Sequence, residues 1–140
     1  MNVQRVAVVG SLAVVVAAVA VGLWLGGSPA EQRLLRFDEQ RVLELRQLAQ
    51  VAQRHWDSQQ RLPETATELI DGQFFTRLPT DPVTSEPYEY RVTGPRSFEV
   101  CATFDRPSRY LPASDFWYHE AGHRCFTFDV TERRRDGFLD

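Results

Sequence analysis

VAVVGSLAVVVAAVAVGLWL, running from Val6 to Leu25, is the stretch on which the architecture turns. It carries no charge over ~20 residues, which at ~1.5 Å rise per residue covers roughly 30 Å, the thickness of a bilayer's hydrocarbon core. Trp24 sits at its C-terminal edge, where an amphipathic ring suits the headgroup layer. Gly26, Gly27 and Pro29 then signal a helix end. A cleaved signal peptide is the competing reading, with Arg5 as a short basic region and Ser28-Pro29-Ala30 as a cleavage site. The apolar run exceeds the ~7–15 residues of a signal core. The expectation is an uncleaved transmembrane helix with edges at Val6 and Leu25, and either reading exports the remainder of the chain.

Flanking charge leaves the orientation open, because Arg5 stands on one side and Arg33 and Arg36 on the other. The cysteines decide it. There are two, Cys101 and Cys125, and an even count in a small exported domain points to a disulfide and an oxidising compartment. The expected address is the cell inner membrane, single-pass, with a cytoplasmic N-terminus and a periplasmic or extracellular domain. Of 16 basic residues only Arg5 precedes Glu31, and all 19 acidic residues follow Ala30, so the exported part carries about −4. That balance excludes a nucleic-acid footprint, which needs a basic face. Membrane lipid is the one partner the sequence names. The expected division is an anchor over 1–29, a soluble domain over 30–130 and a flexible charged tail over 131–140 containing Arg133-Arg134-Arg135.

Working outward from the anchor, Glu31 to Gln60 contains neither Pro nor Gly, and Leu35, Val42, Leu45, Ala49, Ala52 and Trp56 recur at helical spacing, widened by Leu34 and Leu48. Glu39, Arg46, Gln50, Gln53 and Asp57 form the opposite face. Asp38 interrupts the stripe at a core-type position, which argues for packing on the protein's own sheet over a coiled coil. Leu62-Pro63 breaks the helix. Thr65-Ala66-Thr67-Glu68 has capping-box spacing and predicts a short helix over 66–71, stopped by Asp71-Gly72. Phe74, Phe75 and Leu78 then supply apolar anchors.

From Pro79 the pattern switches to period two. Tyr88, Tyr90 and Val92 alternate with Glu89 and Arg91 over 87–92, Gly94-Pro95 makes a turn, and Phe98, Val100, Ala102 and Phe104 alternate with Glu99, Cys101 and Thr103 over 97–104. Phe126, Phe128 and Val130 mark a third strand over 124–130. By parity both cysteines lie opposite the aromatic stripe, so their sulfurs leave the same face of the sheet, away from the helix. A bond between them would close a loop of about 24 residues, worth about 3 kcal/mol in the chain-entropy model. The stripe Tyr88, Tyr90, Phe98, Phe126 and Phe128 reads as core rather than a ligand pocket.

This plan, an apolar helix continuing into an amphipathic helix packed on a three-stranded antiparallel sheet, is α+β and resembles type IV pilin-like proteins. Leu78-Pro79-Thr80-Asp81-Pro82-Val83-Thr84-Ser85-Glu86-Pro87-Tyr88-Glu89-Tyr90 is similar to the Asp-Pro…Pro-Tyr-x-Tyr segment of the major pseudopilins of type II secretion. Asp-Pro sets a turn, Pro87 starts a strand without a ladder donor, and the two Tyr rings pack on the helix. The chain departs from that family twice. Gly10 is followed by Ser11-Leu12-Ala13-Val14-Val15 and no acid precedes Glu31, so the prepilin processing motif is missing, and the Asp/Gly-rich calcium loop has no counterpart. The resemblance therefore implies a pilin-like domain on a fixed anchor.

Two clusters could carry chemistry. Cys101, His119, His123 and Cys125 form a zinc-type donor set, competing with a disulfide or free thiols, and would make the chain a metal-binding or redox-sensing domain. Asp105, Ser108, Ser114, Asp115 and the histidines share one loop, but no Gly-x-Ser-x-Gly turn presents a nucleophile. His55 and Asp57 are two apart on a helix and do not face each other. Phe116-Trp117-Tyr118 reads either as an exposed recognition patch or as a lid over Phe104 and Phe126. The functional expectation is a membrane-tethered, non-catalytic structural or interaction module without a cofactor, linked to an envelope or secretion apparatus.

Overall fold

Ser28 decides where the second helix begins. In the computed structural model, which describes residues 3–26, 28–70 and 75–132, its hydroxyl accepts a hydrogen bond from the Glu31 amide at 3.2 Å, and its carbonyl accepts from Gln32. Pro29 therefore occupies the first helical position, where its missing N–H is no loss and its fixed φ suits the helix. Pro29, expected as a stop for the preceding helix, instead starts the next one. Helix α1 spans Val3–Gly26 and helix α2 spans Pro29–Gln59. The chain divides into two compact units, Met1–Arg33 and Leu34–Asp140.

Within the first unit, α1 is long and apolar enough to cross a membrane, and none of that apolar window is buried by protein. Ser11, its one hydroxyl, donates to the Val8 carbonyl at 3.0 Å, which satisfies the group without a partner outside the helix.

In the second unit the rest of α2 lies along one face of a three-stranded antiparallel sheet in the order β1 (Glu89–Gly94), β2 (Ser97–Phe104), β3 (Gly122–Asp129). The predicted helical stripe is the buried one: Val42, Leu45, Leu48, Ala49 and Ala52 join Tyr88, Tyr90, Phe98, Val100, Phe104, Phe126 and Phe128 in one core. Phe98 stacks on Phe128 with ring centres 5.1 Å apart, and Phe104 meets Phe126 edge-on at 6.3 Å. The hydroxyls of the two buried tyrosines go to different segments. The Tyr88 hydroxyl donates to the Glu44 carboxylate on α2, and the Tyr90 hydroxyl donates to the Pro63 carbonyl at 3.1 Å.

Several local expectations are revised. Strand β1 starts at Glu89; Pro87 makes only an isolated bridge to Thr80. Val92 has the inward parity but remains 42 % exposed, because the core cover ends before the hairpin tip. At that tip a Cβ on Gly94 would come 2.6 Å from the Ser97 hydroxyl, which would have to rotate away to admit it. Strand β3 starts two residues early, at Gly122, whose φ of 102° only glycine adopts without strain. The short helix is a single 3-10 turn, Ala66–Leu69. The Thr65 hydroxyl does not cap it and instead bonds the Thr67 hydroxyl, while Glu68 reaches back to the Glu64 amide and to Arg61. Arg46, Gln50 and Gln53, expected in solvent, are half-buried, and Gln53 donates to the Val130 carbonyl. His55 is also half-buried. The Asp71-Gly72 stop, Phe74 and the Arg133-Arg134-Arg135 run lie outside the described residues.

Candidate functional site

Alternation along β2 and β3 places Cys101 and Cys125 on the sheet face opposite α2, and antiparallel register sets them directly opposite each other. Their sulfurs are bonded, 2.08 Å apart. Glu89 of β1 pairs with Cys101, so Glu89, Cys101 and Cys125 form one row across all three strands. His123 is two residues before Cys125 and shares its face. From there its Nε2 reaches the Glu89 carboxylate at 2.9 Å, bringing the ring across the row. Arg91, on the other side, sets its guanidinium 3.9 Å from Cys101 Sγ and 4.0 Å from Cys125 Sγ while pairing with Glu99 at 3.1 Å. Cys101 is 1 % exposed; Arg91, Glu89 and His123 are about half open to solvent.

Of the four residues read from the sequence as a metal-type set, three come together: ligand atoms of Cys101, His123 and Cys125 lie within 4.8 Å of one another. His119 goes elsewhere. Its ring stacks on Phe104 with centres 3.7 Å apart, and it is 4 % exposed. Burial lowers its pKa, against the nearby charge of Asp38, so the imidazole is held neutral. His119 therefore belongs to the core and does not join the cysteine face.

The serine- and aspartate-bearing loop is held by its own polar groups. Ser108 and His119 clamp its ends: the Ser108 amide donates to the His119 carbonyl at 2.9 Å, and the His119 amide donates to the Ser108 hydroxyl at 3.0 Å. Asp115 accepts from the Trp117 amide at 2.8 Å, the Asx-turn geometry that aims the Trp117 ring inward. Trp117 is 3 % exposed, sits 4.7 Å from the Phe126 ring centre and lies under the Arg46 guanidinium at 5.1 Å. Phe116 packs on Phe128 at 5.1 Å. Phe116 and Trp117 therefore lid the core. Between this loop and α2 runs an open, mostly apolar groove of about 260 Å³ that includes Leu35, Leu43, Tyr110 and Leu111, with Tyr110 and Leu43 well exposed.

No family model, curated protein or solved structure matches this chain.

A site with no signature in the local sequence pattern lies beneath the loop. Arg41 on α2 is 3 % exposed and gathers three carboxylates. Its Nε donates to Asp81 at 2.6 Å, its Nη2 to Asp81 at 3.2 Å, and its Nη1 to Asp38 at 2.7 Å and to Asp105 at 2.6 Å. Burial alone lowers the guanidinium pKa, but the three carboxylates outweigh it and hold the group above its ordinary value. The acids are satisfied in turn. Asp38 accepts from the Asp105 and Arg106 amides at 2.9 and 2.8 Å; Asp81 accepts from the Val83 and Thr84 amides at 2.8 and 3.0 Å. Asp38 therefore fills its core-type position by anchoring the 105–106 segment to α2, while its neighbour Arg41 anchors the Asp81 loop. The Asp81-Pro82 turn is pinned the same way and holds Ser85 at a left-handed φ of 63°.

Proposed function

We propose that the chain is a membrane-tethered, non-catalytic structural or interaction module, whose pilin-like domain is displayed on the periplasmic or extracellular side of the inner membrane in an envelope or secretion apparatus. The observation that carries this reading is the pairing of an apolar helix unburied by protein with a domain in which Asp105, Asp115 and Ser108 of the candidate catalytic loop serve the architecture. Asp105 binds Arg41, Asp115 shapes a turn, and Ser108 accepts a backbone amide. The disulfide supports display in an oxidising space. The groove edged by Leu43 and Tyr110 supports contact with another protein, since exposed apolar and aromatic groups favour partner surfaces.

Two measurements test it. Membrane fractions should retain the chain through alkaline carbonate extraction, and a membrane-impermeant protease added to spheroplasts should reach residues 34–132. Photocrosslinkers at Leu43 and Tyr110 should capture a membrane-associated protein that the same probe at the exposed Val92 does not. A chain found free in the cytosol would refute the reading.

A further inference from the structure

We propose that the outer face of the sheet is a redox-gated metal site: closed as the Cys101–Cys125 disulfide, it becomes on reduction a Cys101, Cys125 and His123 ligand set for zinc-like divalent ions, with Glu89 positioning His123. The proposal goes beyond the tether reading, which stands or falls on separate measurements.

Three observations converge on it. The first is proximity: one donor atom from each of the three residues lies within 4.8 Å of the others. A tetrahedral ion with sulfur at ~2.3 Å and nitrogen at ~2.0 Å separates its ligand atoms by under 4 Å, so opening the S–S bond and small side-chain rotations complete the geometry. The second is the Glu89 carboxylate on His123 Nε2 at 2.9 Å. A carboxylate on one imidazole nitrogen fixes the tautomer and frees the other as a metal ligand, the arrangement that orients most metal-binding histidines. The third is rigidity. Glu89, Cys101 and Cys125 occupy one row of a paired sheet, and His123 is on the same strand face as Cys125. The donors are therefore held by backbone register and not by a loop. Two thiolates and an imidazole select zinc-class ions over calcium or magnesium, and three protein ligands leave a fourth position for water. Two thiolates neutralise the ion's charge, so the Arg91 guanidinium next to the sulfurs is tolerated and can donate to them.

The gating step requires a dithiol reductant. Its thiolate attacks Cys125 Sγ, forming a mixed disulfide as the Cys101–Cys125 bond breaks. The electron pair departs on Cys101 Sγ, 3.9 Å from Arg91 Nη2. The reductant's second thiolate then displaces Cys125 and leaves as a cyclic disulfide. Two electrons pass to the protein, and two protons convert Cys101 and Cys125 to thiols. Binding of Zn²⁺ releases those two protons.

The test uses the full chain in non-ionic detergent, oxidised or reduced with a phosphine and desalted without oxygen. Zn²⁺ is titrated against a chromophoric chelator, and Co²⁺ serves as a spectroscopic probe. The reduced chain should bind one metal and show a thiolate-to-cobalt charge-transfer band, while the oxidised chain binds none. His123→Ala should weaken binding at least ~100-fold, and Glu89→Gln by about 10- to 100-fold. Both side chains are exposed, so the oxidised variants should keep native near-UV circular dichroism. A reduced chain that stays metal-free at micromolar zinc overturns the proposal, as does one that loses its fold without zinc restoring it. Binding unchanged in His123→Ala, or equal in the oxidised chain, also overturns it. Binding unchanged in Glu89→Gln overturns the positioning role.

Discussion

Replacing Arg41 by Met removes one cation from beneath three carboxylates. Asp105 is 38 % exposed and can turn to water, so the cost falls on Asp38 and Asp81, with side chains 3 % and 11 % exposed. Each keeps two backbone amides, which limits the loss to about that of one broken buried pair, about 3–5 kcal/mol. Against a total stability of about 5–15 kcal/mol that is a large fraction. The loss should also depend on pH. In the native chain burial pushes the Asp81 pKa up, but Arg41 and the Thr84 and Val83 amides outweigh it and hold the carboxyl below its ordinary value. Its stabilisation is complete above the unfolded value of ~3.9 and fades as pH falls through the lower native value. Without Arg41 only the two amides oppose burial, so the native pKa rises and the ionised carboxyl stabilises the fold less than it does in the native chain. The gap between the native chain and Arg41→Met should therefore narrow as pH falls to about 3 and stand at its full ~3–5 kcal/mol by pH 7. Urea unfolding of the detergent-solubilised chain, followed by tryptophan fluorescence at both pH values, measures it. Adding Asp38→Asn and Asp81→Asn to the variant should restore about half of the loss at pH 7, because the stranded charges are gone. A loss under about 1 kcal/mol at pH 7, or one equal at both pH values, would refute this account of the cluster.

Other perturbations act on the same contacts. Trp117→Ala should cost about 3–5 kcal/mol in urea unfolding, since it opens the aromatic lid, whereas Tyr110→Ala at the exposed groove edge should stay within about 0.5 kcal/mol. Ser28→Ala should cost about 1 kcal/mol of helix stability by removing the cap of α2, read as faster amide exchange at Glu31. His119 is held neutral by burial, so its contribution is present above its unfolded pKa and is lost as pH falls through the native value. His119→Phe, which keeps a ring on Phe104, should flatten the fall in thermal midpoint between about pH 7.5 and pH 5.5.

Sequence alone determined whatever depends on near neighbours. The charge-free run to Leu25 requires only counting against bilayer thickness. The Leu45–Leu48–Ala49–Ala52 stripe and the Phe98–Val100–Ala102–Phe104 alternation arise from the 3.6 and 2.0 periods of the backbone, and the same parity placed both cysteines on the outer face. Ser28-Pro29-Ala30-Glu31 also carried a readable cap signal, Ser at the cap and Glu three residues on, which the alternative of a cleavage site obscured. Tertiary structure decided what joins distant segments. Arg41 looks like one more charge on a helix until Asp81, 40 residues away, and Asp105, 64 residues away, fold over it. Both histidines ahead of Cys125 read as candidate ligands, but one became a core stack on Phe104 and the other a surface partner of Glu89. Local periodicity sets which face a side chain leaves from; which groups meet there depends on how loops close across the fold, and a buried charge discloses its purpose only through the partners that closure brings.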